Sequence, residues 1–220
     1  MFRSTRAIGP AGWRTSSLFV ATGGALTWYF WREKERMVRV REQKEKERST
    51  IGRPKVGGPF ALMDHFGQRR TSDDFKGRHM LVYFGFTMCP DICPEELDKM
   101  AQILKSLKED GIGITPMFIT CDPARDTPDK LKDYLAEFHP DILGLTGTYE
   151  EIKQVCKSYR VYFSTPPSVK PGQDYLVDHS IFFYLMDPEG NFEDALGRLY
   201  TAEQATSRIK DFIQAYQQKS

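Results

Sequence analysis

The stretch Cys89-Pro90-Asp91-Ile92-Cys93 carries the side chains best suited to chemistry. Two thiols separated by three residues can converge on one ion or join as a disulfide. Backbone N–H groups and the dipole at a helix start favour thiolate over thiol there. Dithiol redox pairs commonly have two intervening residues, so the spacing leaves both chemistries open. A metal needs a further ligand, and the four histidines are His65, His79, His139 and His179. His65 falls in a turn, His79 among charges before a strand, and His139 beside a proline at a helix end; each reads as a surface or capping residue. His179 differs, because it follows Asp178, ends the long loop from Ser164 to Asp178, and directly precedes an apolar strand. Two thiolates and an imidazole suit Cu(I), and also the geometry of Cu(II) thiolates. Zinc would ordinarily take a fourth ligand for a closed site. Asp178 is placed either to orient the imidazole or to approach the metal itself. Cys121 and Cys156 lie in apolar, periodic surroundings and read as small core residues.

The elements that must position these residues are legible from periodicity. Met80 to Phe86 is almost wholly apolar, as expected of a strand buried on both faces, and it runs straight into the cysteine segment. Pro94-Glu95-Glu96 opens a helix continued by Leu97, Met100, Ile103, Leu104 and Leu107 at 3.6 spacing. Phe60–Met63 and Arg69–Thr71 flank Asp64-His65-Phe66-Gly67 as a hairpin, and Thr115 to Cys121 is a second core strand. Thr127 to Phe138 and Thr148 to Tyr159 are helices, the latter begun by a capping pattern, with a short strand Ile142–Leu145 between them. Ser180 to Met186 and Asn191 to Leu196 form strands joined by Asp187-Pro188-Glu189-Gly190, and Thr201 to Tyr216 closes the domain as an amphipathic helix. Strands alternating with helices, then a terminal hairpin and helix, predict an α/β domain with a mixed sheet flanked by helices. A central strand leading into cysteines at a helix start is the thioredoxin-like arrangement, and the carboxyl end of such a strand is where open α/β sheets place ligands.

The chain has 220 residues, of which 40% are hydrophobic and 28% charged. About 160 residues of this composition bury a full core with no need of a structural disulfide or metal. A net charge of +1 removes the general electrostatic case for nucleic acid. Residues 1–14 contain Arg3, Arg6 and Arg14 and no acid, which suits a mitochondrial import segment. Residues 15–31 are uncharged and end in Trp28, Tyr29, Phe30 and Trp31; at 1.5 Å each they span roughly 26 Å, enough for one transmembrane helix with an aromatic interface. Residues 32–58 read as a charged helical stalk and a Gly/Pro linker, and residues 59–218 as the folded domain. Counting basic residues alone, three before the span and eight between Arg32 and Arg48, would keep the domain on the positive side of the membrane.

The motif Phe84-Gly85-Phe86-Thr87-Met88-Cys89-Pro90-Asp91-Ile92-Cys93-Pro94-Glu95-Glu96-Leu97 resembles the signature of the Sco proteins, copper chaperones of cytochrome c oxidase assembly. Downstream, Asp122-Pro123-Ala124-Arg125-Asp126-Thr127, Leu145-Thr146-Gly147-Thr148, Tyr159-Arg160-Val161-Tyr162 and Tyr175-Leu176-Val177-Asp178-His179-Ser180 agree in the same order, across the whole domain. The resemblance implies that Cys89, Cys93 and His179 are copper ligands and that Cys89 and Cys93 form a redox disulfide. It also implies a single-pass mitochondrial inner-membrane protein with its C-terminal domain in the intermembrane space. There it would take copper from an upstream donor and deliver it to the binuclear copper site of cytochrome c oxidase subunit 2, with thiol–disulfide exchange on that subunit. The alternative from a different class is a tethered thiol–disulfide oxidoreductase or a peroxiredoxin-like enzyme. Against it, the cis-proline usual in thioredoxin-type oxidoreductases has no counterpart, and His179 occupies about that place.

Overall fold

The computed structural model describes residues 23–24, 26–37, 56–164 and 178–218, of which 163–164 and 178–179 are described as backbone. The chain divides into two compact units, Met1–Pro54 and Lys55–Ser220. In the first, residues 26–37 form a helix, α1, on which Leu26, Trp28, Tyr29, Phe30 and Trp31 are all exposed. The Arg32 guanidinium lies over the Trp28 ring at 5.2 Å, so the aromatic stretch and the first charged turn belong to one continuous helix. Among the described residues no helix is long and apolar enough to cross a membrane. The expected import segment 1–14, residues 15–22 and 25 of the expected span, stalk and linker residues 38–55, and residues 165–177 of the expected long loop lie outside the described residues.

The second unit is built on β3 (Met80–Gly85), whose six residues are all buried. It pairs in parallel with β4 (Thr115–Thr120), which pairs in parallel with β5 (Leu143–Thr146). On its other side β3 pairs antiparallel with β8 (Phe182–Met186), which forms a hairpin with β9 (Phe192–Gly197). The hairpin β1 (Ala61–Asp64) and β2 (Arg69–Thr71) completes the far edge, giving the order β2-β1-β5-β4-β3-β8-β9. Crossovers are supplied by α2 (Ile92–Glu109), α3 (Pro128–Ala136) and α4 (Tyr149–Ser158), and α5 (Ala202–Gln217) ends the described fold. Helices α2 and α5 pack on one another, while α3 lies against β5 and α4 against β1. This is the predicted mixed α/β sheet flanked by helices.

Local signals explain the boundaries. Thr127, Thr148 and Thr201 each cap a helix by accepting a backbone N–H on the side-chain oxygen, with full capping boxes at Thr148 and Thr201. These helices therefore begin one residue after the threonines at which the sequence pattern starts. Residues 56–58, expected in the linker, lie against the domain: the Gly57 N–H bonds the Ser158 carbonyl at 2.9 Å. Strand β8 begins at Phe182, two residues later than the apolar run suggests, because Ser180 bonds Tyr162 through both backbone and hydroxyl.

Two histidines expected as surface or capping residues are buried. His65 accepts the Gly144 N–H on Nδ1 at 2.9 Å, and burial holds its pKa below the ordinary value. His79 packs edge-on against Tyr216 with ring centroids 5.2 Å apart. His139 does act as a cap, accepting the Asp141 N–H at 3.1 Å.

Candidate metal centre

The parallel strands β3, β4 and β5 all end on one edge of the sheet, and antiparallel β8 starts there. The segment after β3 reaches this edge without regular structure and enters α2 at Ile92, two residues before the helix start expected at Pro94. The consequence for the site is direct. Cys93 sits inside the first turn, Cys89 just ahead of the Asp91 cap position, and Pro94 remains where its missing N–H has no intrahelical partner to lose. Asp91 makes no side-chain cap. The Cys89 sulfur takes that role instead, accepting the Cys93 N–H at 3.4 Å and the N–H groups of Asp91 and Ile92.

Both residues are thiols, and their sulfurs lie within hydrogen-bonding reach of each other. The pair is electrostatically unequal. The hydrogen bond from Cys93, together with the helix-start N–H groups, brings the Cys89 pKa down to about 5, against the opposing effect of burial. The same hydrogen bond and deeper burial push the Cys93 thiol far above the usual range. Cys93 also accepts the Phe86 N–H and, at 3.6 Å, the Tyr83 hydroxyl. Its floor is Gly85, where an added Cβ would stand 2.8 Å from the Cys93 sulfur and 2.9 Å from the Phe118 ring. Glycine is required here by this close approach.

A buried carboxylate secures the loop that carries Cys89. Asp126 accepts the Thr87 hydroxyl at 2.6 Å, the Thr87 N–H at 3.1 Å and the Thr120 hydroxyl at 2.6 Å. The Thr146 hydroxyl donates to the Asp126 carbonyl at 3.0 Å, so β4, β5 and the β3–α2 loop meet at this residue. Burial raises its pKa above the ordinary carboxylate value. Beside it, Arg125 pairs with the buried Asp122 and covers the Phe86 ring at 5.9 Å.

Asp178 and His179 form β7, which pairs antiparallel with β6 (Phe163–Ser164) in register Phe163↔His179 and Ser164↔Asp178. Because β8 starts three residues after His179, at the edge where β3 ends, the backbone delivers His179 to the same edge as the cysteines. The His179 and Asp178 side chains lie outside what is described. Among the described residues no group of three His, Cys, Asp or Glu side chains gathers to hold a metal.

Cys121 and Cys156, read as independent core residues, are both wholly buried but meet each other. Hydrogen bonding to Cys156, then burial, holds the Cys121 thiol well above the usual range. Their separation in sequence gave no spacing signal for that meeting. Tyr83 and Asp126 also went unread as part of the site. For Tyr83 a signal existed, since a phenol inside a wholly apolar strand must find an acceptor for its hydroxyl.

A cysteine whose pKa is lowered and a more deeply buried thiol beside it, at a helix start on the carboxyl edge of a mixed sheet, define a thioredoxin-like dithiol protein. The chain belongs to the SCO1/SenC family, whose model matches residues 48–214. It is 56% identical over 202 residues to the mitochondrial protein SCO1 of Saccharomyces cerevisiae, covering 91% of this chain and 68% of that one. The crystal structure of yeast Sco1 with copper bound superposes with a TM-score of 0.72 at 59% identity, covering 74% of this chain and 91% of that one. The structure of BsSco, described as a Sco-family cytochrome c oxidase assembly protein with a disulfide switch, gives a TM-score of 0.57 at 26% identity over 74% of this chain and 96% of that one.

Proposed function

We propose that this chain is a copper metallochaperone. It carries copper on Cys89, Cys93 and His179 and delivers it to the binuclear copper site of cytochrome c oxidase subunit 2 during assembly. The observation that carries the reading is the meeting of the Cys89 and Cys93 sulfurs at the start of α2, at the edge of the sheet where β3 ends; the pairing of β7 with β6 supports His179 as the third ligand. Two sulfurs in an apolar setting favour soft, low-coordinate Cu(I), and an imidazole completes a three-ligand set. Support for the metal comes from the copper-bound yeast Sco1 structure, and support for the assembly role from the Sco relative described as an oxidase assembly protein. On this reading Asp178 either orients the imidazole or approaches the metal itself.

The mitochondrial relatives support a location in that organelle, and the exposed aromatic helix α1 supports a single inner-membrane anchor with the domain in the intermembrane space. There the chain meets an upstream copper donor and the oxidase subunit. A second chemistry, thiol–disulfide exchange, is favoured by the inequality of the two thiols: a low-pKa Cys89 is suited to attack or to leave, with Cys93 as its resolving partner. The two roles share the site, because only the reduced pair binds metal.

The test is a Cu(I) titration of the full-length chain, reduced and in mild detergent, against a competing chelator. One equivalent is expected to bind, and Cys89→Ala, Cys93→Ala and His179→Ala each weaken binding by at least about 100-fold. Unchanged affinity in His179→Ala removes that residue from the ligand set. No binding by the unmodified chain ends the chaperone reading and leaves the dithiol exchange.

A further inference from the structure

The two sulfurs differ in depth as well as in charge. Cys93 is 0% exposed and Cys89 9%, and Cys89 lies between the exposed Met88 and Pro90. The donors around them differ. Cys89 is held by the Cys93 thiol and the backbone N–H groups of a helix start, whereas Cys93 takes the Phe86 N–H and a side-chain donor from the sheet, the Tyr83 hydroxyl at 3.6 Å. That donor is fixed. Tyr83 is wholly buried, its ring near Phe118 at 6.1 Å and Phe183 at 5.3 Å, on the interior strand β3. A buried phenol keeps its hydroxyl on an acceptor, and here that acceptor is the Cys93 sulfur. A metal-bound thiolate keeps lone pairs and more negative charge than a thiol, so the same hydrogen bond strengthens when the site is loaded.

Building on the copper reading above, we propose that Tyr83 is a positioning residue that fixes Cys93 as the retained ligand, so that copper leaves the protein by displacement of Cys89. In that exchange a thiolate of the recipient forms a bond to Cu(I) as the Cys89–copper bond breaks. The ion stays Cu(I), the proton shed by the incoming thiol passes to solvent, and Cys89 departs as thiolate. Cys93 stays on the metal until the recipient's second donor arrives. The arrangement explains why one of the two sulfurs sits deeper than the other: one ligand must hold while the other is replaced.

The experiment compares the full-length chain with Tyr83→Phe, which removes one oxygen and keeps the ring packing. Tyr184→Phe, which removes the same atom from a buried tyrosine on β8, serves as control. Two quantities are read: Cu(I) affinity by chelator competition, and the order in which the cysteines become alkylatable when the loaded protein meets a small dithiol with iodoacetamide present. In the unmodified chain Cys89 is expected to label first. Tyr83→Phe is expected to weaken Cu(I) binding about 10-fold and to bring the labelling of Cys93 close to that of Cys89, while Tyr184→Phe changes neither. Unmodified affinity and labelling order in a folded Tyr83→Phe overturn the proposal and leave the copper reading standing. Absence of Cu(I) binding by the unmodified chain overturns both. Should Tyr83→Phe not fold, the Tyr83 hydroxyl proton is followed by NMR in the unmodified chain. Slow exchange with a shift on Cu(I) addition supports the proposal, and rapid exchange with no shift overturns it.

Discussion

At the scale of single residues, the site is an exercise in making two identical side chains unequal. Cys89 is stabilised as thiolate by the Cys93 hydrogen bond and the first N–H groups of α2, and its pKa of about 5 lies well below the ordinary thiol value of 9.0. The linkage sign follows. Because the folded value is below the unfolded one, ionised Cys89 favours the folded state above about pH 9, and that contribution is lost as pH falls through about 5. The reduced, metal-free chain should therefore be alkylated by iodoacetamide at Cys89 with a rate that rises through about pH 5 and then levels off. Cys93, fully buried and shifted upward, should be modified far more slowly. Mass spectrometry after a pH series checks this; a midpoint near 9, or equal labelling of both cysteines, would show that the inequality does not exist in solution.

At the scale of elements, the β3–α2 connection decides the site, and its packing sets a sharp size limit. Replacing Gly85 by alanine puts a methyl against both the Cys93 sulfur and the Phe118 ring. Overpacking of this kind costs about 1–3 kcal/mol, so Gly85→Ala should lower the melting temperature by roughly 3–10 °C and weaken Cu(I) binding as Cys93 shifts. A melt and titration indistinguishable from the unmodified chain would show that the floor yields. This element also marks how far sequence reasoning reaches. The six apolar residues of β3, the 3.6 period of α2 and the threonine caps were all legible, because each is a local pattern. The start of α2 was displaced by two residues, because proline at a helix beginning fits any position in the first turn. His65 and His79 were misplaced because a turn and a run of charges look solvent-exposed in sequence. Only the third dimension covers His65 with β5 and His79 with α5. The Cys121–Cys156 meeting and the Tyr83 bond to Cys93 join residues on different elements, and no local pattern records such pairs.

At the scale of the molecule, the chain combines a folded unit and an N-terminal unit that differ in what they expose. Lys55–Ser220 has its own continuous core, whereas α1 exposes Leu26, Trp28, Tyr29, Phe30 and Trp31 in succession. Deleting residues 1–54 should release the protein from membranes into the soluble fraction while leaving its melting temperature within about 2 °C of the full chain. Retention on alkali-washed membranes after the deletion would remove the anchor role from this unit. The folded unit, for its part, gathers several of its elements at one residue. Asp126 is at once the acceptor for Thr87 and Thr120 and, through its carbonyl, for Thr146. A shared acceptor makes its donors interdependent. Losing one carboxylate donor leaves the negative charge leaning on those that remain, so removing the Thr87 and Thr120 hydroxyls together costs more than the sum of the two single losses. The rim of the sheet thus behaves as a keystone and not as a row of separate rivets: its strand ends hold, or slacken, as a group.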